Sequence, residues 1–162
     1  MSTVLAIDPG YGRCGVAVLS NDSGKPCVLY ASCIETSGEQ AFGDRLGTVL
    51  DSIEAMLKIY KPDTIAIEEI FFSKNQKTAM AVAAVRGALL YLAHRAHLPV
   101  AEYNPQNIKV AITGDGRADK TQVLAMLPRL VVLPNPHARD DEYDAIALGL
   151  THLATKRINN LP

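Results

Sequence analysis

Acidic side chains stand at three separated points of this chain, each where an apolar run ends or a helix begins. Val4-Leu5-Ala6-Ile7 is an unbroken apolar run that ends in Asp8, and Pro9-Gly10 forces a turn directly after it. Thr64-Ile65-Ala66-Ile67 ends in the same way, on Glu68 and Glu69. Asp140, Asp141 and Asp144 open the last helical stretch. A charge at the tip of a buried strand is costly unless something pairs with it. Each station also has a plain explanation: Asp before Pro-Gly caps a turn, and acids favour helix N-termini through the helix dipole. Taken together they suggest a cation site. Clustered Asp and Glu without His or Cys suit hard divalent ions, above all Mg²⁺ or Mn²⁺. Two such ions about 4 Å apart can activate water and stabilise the leaving oxygen of a phosphodiester. Asp141 and Asp144 are three apart, and Asp140 and Asp144 four apart, so either pair shares a helix face and spacing leaves the ligand register open.

The elements that must bring these stations together follow from hydrophobic period. Residues 3–8, 14–20 and 27–35 read as three strands of an antiparallel meander. Phe42, Leu46, Val49, Leu50, Ile53, Met56, Leu57 and Tyr60 recur at helical spacing, and Lys61-Pro62 ends that helix. A strand over residues 64–69 follows. With that strand entering beside the first one, the strand–helix–strand order would make the two parallel and adjacent. Asp8 and Glu68 then sit at neighbouring tips, where like charges disfavour each other unless a cation or a shared proton intervenes. Residues 76–97 form a helix that is apolar almost all round, which predicts burial in the core or against a partner subunit. Pro99 to Tyr103 supplies a short fifth strand, and Asn104-Pro105 opens a short helix carrying Lys109. Asp119, with Gln122 three residues on, predicts a capping box for a helix that stops before Pro128. The expectation is an α/β fold with a five-stranded mixed sheet, three strands antiparallel and two parallel, flanked by helices. It occupies a single domain over 1–157, with a short tail at 158–162.

Composition narrows the class. With 162 residues, 48% hydrophobic and 20% charged, the chain can bury an ordinary core. Cys14, Cys27 and Cys33 form no CxxC pair, which suggests a reducing compartment without disulfides. The N-terminus shows no signal-peptide pattern, and the longest apolar stretch is broken by Arg86, so a soluble cytoplasmic protein is expected. Net charge is −1, but residues 35–70 carry eight acids against three bases, and residues 71–130 eight bases against three acids. The basic half points to nucleic acid, although solvated helix faces would show the same count. Phe71 and Phe72 are flanked by Lys74, Asn75 and Lys77, a pattern suited to stacking on bases and touching phosphates, or to anchoring a loop in the core. The turn Gly114-Asp115-Gly116, with Arg117 and Lys120 beside it, has the makings of a phosphate cradle or of an ordinary turn.

Ile7-Asp8-Pro9-Gly10, Ala66-Ile67-Glu68, Lys74-Asn75, Arg86-Gly87, Asp144-Ala145-Ile146-Ala147 and Thr151-His152 together resemble the RuvC family of bacterial Holliday junction resolvases. The match runs in order from Val4 to about Ala154. The resemblance implies an RNase H-like fold, a homodimer, and paired Mg²⁺-dependent nicking of four-way DNA junctions in recombination and repair. It implies two Mg²⁺ ions per site, with Mn²⁺ able to substitute, and catalytic, metal-binding carboxylates at Asp8, Glu68, Asp141 and Asp144. It places the family's junction aromatic at Phe71 and basic DNA contacts at Lys109 and Lys120. Coupling to the RuvA–RuvB branch-migration complex comes from the resemblance alone. The chain departs from the family pattern at Glu69 and Asp140, each an extra acid beside a ligand position. Two other readings remain: a related nuclease acting on structured RNA, and an actin-like ATPase. The ATPase would need a second Gly-rich phosphate hairpin, which the sequence does not show.

Overall fold

The computed structural model describes residues 2–21, 24–69, 76–135 and 138–159, with backbone alone at 76–78 and 157–159. Its elements are β1 (Thr3–Asp8), β2 (Arg13–Asn21), β3 (Pro26–Glu35), α1 (Phe42–Tyr60), β4 (Thr64–Glu68), α2 (Gln76–Arg95), β5 (Val100–Tyr103), α3 (Pro105–Thr113), α4 (Lys120–Leu130) and α5 (Asp140–Asn159). The sheet order is β3-β2-β1-β4-β5. β2 is antiparallel to β1 and β3, while β4 is parallel to β1 and β5, as the crossover argument requires.

Alternation along the strands divides the core in two. Val4, Ala6, Ala17, Leu19 and Ala66 face α3, α4 and α5. Leu5, Ile7, Val16, Val18, Ile65 and Ile67 face α1 and α2. The same alternation sends Asp8, Gly15 and Glu68 to the α5 side. No helix among the described residues is long and apolar enough to cross a membrane.

The helices are unevenly covered. The apolar α2 is only half-covered: Ala79, Val85, Leu89 and Ala93 are buried, but Met80 is 76% exposed and Tyr91 63%. Small residues at Ala83, Ala84 and Gly87 share that open surface. The enclosed helix is α5 instead, buried at Ala145–Leu148 and Leu150–Leu153. Its buried surface is wider than the helical stripe of Tyr143, Ile146, Ala147, Leu150 and Ala154 that the sequence predicts, because it lies across the sheet and is flanked by α3 and α4. Two glycines permit that close approach. A Cβ on Gly15 would lie 2.0 Å from the Asp141 carbonyl oxygen, and one on Gly149 would lie 2.3 Å from Leu19 Cδ1.

One helix boundary differs from expectation: α4 runs through Pro128 to Leu130 rather than stopping before it. A proline there removes one backbone bond near the end of the helix, and the helix closes with the Val131 amide donating to Leu127. The predicted capping box is present, with Asp119 and Gln122 each accepting the other's backbone N–H.

Candidate active site

Asp8 ends β1 and Glu68 ends β4, one residue beyond the parallel pair Ile7 and Ile67. The two carboxylates therefore leave neighbouring strands at the same end of the sheet. α5 begins above that end and brings Asp144 to them. Asp8, Glu68 and Asp144 line one cavity of about 270 Å³, together with Lys109, Lys120, Pro105, Ile108, Val123 and Ala147. The two lysines are held there by capped helices. The Asn104 side chain accepts from the Asn107 amide to start α3, which carries Lys109, and the Asp119 box starts α4 at Lys120.

The three aspartates at the start of α5 are not equivalent. Asp144 lies 3.2 Å from Lys120 Nζ. Asp140 is mostly exposed and lies 3.3 Å from the same ammonium. Asp141 has a side chain only 18% exposed and stands 3.4 Å from Arg13 Nε. It does not line the cavity, and its Oδ2 is buried with no hydrogen-bond partner among the described residues. Arg139 Nε is 2.9 Å from Glu35, so a second guanidinium ties the start of α5 to β3.

Burial and mutual repulsion work against the ionised form of these carboxyl groups. Burial first, then the charges of Asp144 and Asp141, push Asp8 up to about 7 against an opposing pull from Lys120. Burial first, then Asp8 and Asp144, push Glu68 up to about 8. Burial raises Asp144 as well, with Lys120 opposing it. Raised carboxyl values mean that the folded protein holds protons that the unfolded chain releases near 3.8 and 4.5. The stability from these two groups is therefore complete below about pH 4. It is lost as pH rises through about 7 and 8. Without divalent cations, the melting temperature should fall more steeply between about pH 5 and 8.5 in the parent protein than in Asp8→Asn. Thermal melts in chelator check this, and parallel slopes would remove Asp8 from the buried cluster.

The donor set suits a hard cation: oxygens only, an excess of carboxylate over ammonium, and a buried carboxylate oxygen left open at Asp141. As they stand, the described side chains do not gather three such donors around one point. Lys120 and Arg13 take up part of the charge in their place.

Other predicted contacts fall elsewhere. Phe71, Phe72, Lys74 and Asn75 lie outside the described residues, as does the side chain of Lys77. Arg117 is exposed on the α3–α4 turn, away from the cavity lining. That turn is a capping device rather than a phosphate cradle. The Gly114 amide donates to Val110, Asp115 to the Thr113 hydroxyl, Arg117 to the Asp115 side chain and Ala118 to the Asp115 carbonyl. Glu69 is exposed, and its amide donates to Tyr103. Sequence reasoning missed Arg13 and Gly15. A glycine inside an otherwise buried apolar strand was the available signal.

The model of the family described as Crossover junction endodeoxyribonuclease RuvC matches residues 4–152. The chain belongs to the RuvC family. A crossover junction endodeoxyribonuclease RuvC from Tolumonas auensis is 40% identical over 158 residues, covering 97% of this chain and 90% of that protein. The Thermus thermophilus RuvC solved in complex with Holliday junction substrate is 29% identical, with a TM-score of 0.90 over 98% of this chain and 97% of that one. A yeast mitochondrial Holliday junction resolvase shares the fold alone, at 14% identity and a TM-score of 0.67. The RuvC-family fold is RNase H-like, with the five-stranded mixed sheet described above.

Proposed function

We propose that this RuvC-family chain is a structure-selective endodeoxyribonuclease that resolves four-way DNA junctions by paired symmetric nicks. The observation that carries the proposal is the convergence of Asp8, Glu68 and Asp144 on one cavity with Lys109 and Lys120 on its wall. Asp8, Glu68, Asp141 and Asp144 would hold the divalent ions, Mg²⁺ with Mn²⁺ able to substitute, two per site. Bound ions supply activation of the attacking water and stabilisation of the leaving oxygen. The chain's own residues do the rest. The carboxylates fix the ion positions from three rigid elements. Lys109 and Lys120 supply cations for the phosphates on either side of the cut. Phe71 serves at the junction centre, with Phe72, Lys74, Asn75, Lys77 and Arg117 along the DNA path.

Symmetric nicks need two sites facing two strands, and a second copy of this chain is the partner that supplies them. The open face of α2, with exposed Met80, Ala83, Ala84, Gly87 and Tyr91, suits a helix-to-helix contact because small residues let backbones approach. Ala84→Glu should turn the dimer into a monomer by light scattering, and an unchanged mass would move the interface off this face. Residues 1–157 act as one nuclease domain, in the cytoplasm, with the RuvA–RuvB complex as the partner for branch migration.

Lys109→Ala should weaken junction binding and lower the slope of log affinity against log salt by about one. An unchanged slope would remove Lys109 from the phosphate contacts. The reading as a whole is tested by offering four-way DNA, linear duplex and structured RNA side by side in Mg²⁺. Preferential cutting of the four-way DNA is expected, and preferential cutting of RNA would replace it with the RNA-processing reading.

A further inference from the structure

Asp141 is set apart from the carboxylates it is grouped with, and the inference drawn from this rests on the proposed reading of those acids as metal ligands. Asp8, Glu68 and Asp144 line the cavity, but Asp141 does not. Its Oδ2 stands 3.4 Å from Arg13 Nε, close enough for charge attraction. The same oxygen is buried and makes no hydrogen bond among the described residues. A buried carboxylate oxygen held only by a loose ion pair is poorly compensated, so it has a better partner to gain.

The backbone of Asp141 has no freedom to supply that partner. Its carbonyl is packed against the Cα of Gly15, in the strand position paired with Asp8. Only the side-chain torsions remain. Arg13, by contrast, is 58% exposed at the start of β2, so its guanidinium can exchange Asp141 for water at small cost. Asp141 is also near enough to raise both Asp8 and Asp144, so turning it into the cavity is favourable only when a cation arrives to offset the repulsion.

We propose that Arg13 is a positioning residue: it holds the Asp141 carboxylate out of the acid cluster and yields it to an incoming divalent cation, thereby setting how tightly the site takes up metal. The exchange is one of ionic partners only. Arg13 keeps its charge throughout, so no proton is transferred and no covalent bond changes.

This role has a signature that simple structural support lacks. Removing Arg13 should lower the thermal stability of the cation-free protein, because Asp141 loses its partner. The same change should tighten metal binding, because the competitor is gone. Calorimetric titration of Mn²⁺ into the DNA-free protein reads the second effect directly. Arg13→Gln is expected to bind Mn²⁺ roughly two- to fivefold more tightly than the parent. The gain should vanish when Asp141→Asn is already present. Arg13→Lys, which keeps the charge but not the Nε geometry, should show a smaller gain, and it carries the test if Arg13→Gln does not fold. Equal affinity in the parent and both Arg13 variants would overturn the proposal. So would a gain that persists beside Asp141→Asn, since Arg13 would then act only as a distant charge. If Asp8→Asn takes up Mn²⁺ as well as the parent does, the carboxylates are not the ligands, and the proposed function fails rather than the role of Arg13.

Discussion

Replacing Asp8 with Asn is expected to stop junction cleavage, by roughly 10³-fold or more, while binding of four-way DNA in Ca²⁺ survives. The substitution keeps the shape of the side chain and removes its charge. Asp8 sits at the end of β1, paired with Gly15 of β2 and beside Glu68 of β4, so it is the central member of the acid cluster. The lysines that would grip phosphate come from α3 and α4 and do not depend on it for their position. Cleavage and binding should therefore separate cleanly. Gel-based cutting in Mg²⁺ and mobility shifts in Ca²⁺ measure the two. Normal cutting by the variant would mean that Asp8 is a turn-capping residue and no more.

Gly15→Ala should damage both stability and cleavage. The added Cβ would lie 2.0 Å from a backbone oxygen of Asp141, and a backbone atom cannot step aside as a flexible side chain can. α5 would have to lift off the sheet at its first turn, where Asp141 and Asp144 are carried. Overpacking of this kind costs about 1–3 kcal/mol or more, which lowers the melting temperature by roughly 2–12 °C in a domain of this size. A misplacement of about 1 Å at the carboxylates costs on the order of 100-fold in rate. Gly43→Ala is the control, because nothing lies within 4 Å of its would-be Cβ. It should melt as the parent does or slightly higher. Parent-like melting and cutting by Gly15→Ala would mean that α5 does not rest on β2 at this point.

Much of this arrangement was legible in the sequence, for identifiable reasons. The apolar runs ending in Asp8 and Glu68 marked two strand tips, and the parallel pairing of β1 with β4 makes them neighbours. Cap chemistry located α4 through Asp119 and Gln122. Helix burial was not legible. The residues of α2 are apolar on nearly every side, yet one face stays open, because hydrophobicity states a preference for burial without naming what covers it. α5 is flanked on more sides than its predicted stripe because two glycines, far apart in sequence, let it lie close to the sheet. The division of labour among Asp140, Asp141 and Asp144 was hidden for a similar reason. Helical spacing treats them as equals. Their separation into an outward acid, an Arg13-paired acid and a cavity-lining acid depends on long-range cations at Arg13 and Lys120.

The acids matter only if their meeting point cuts DNA, and strand-resolved mapping of the products asks that directly. A four-way junction with each strand labelled in turn, incubated with and without Mg²⁺, should yield two nicks at symmetry-related positions on opposing strands, and none without the ion. Undiminished cutting in chelator, or no cutting in Mg²⁺ by protein that still binds the junction, would contradict the account.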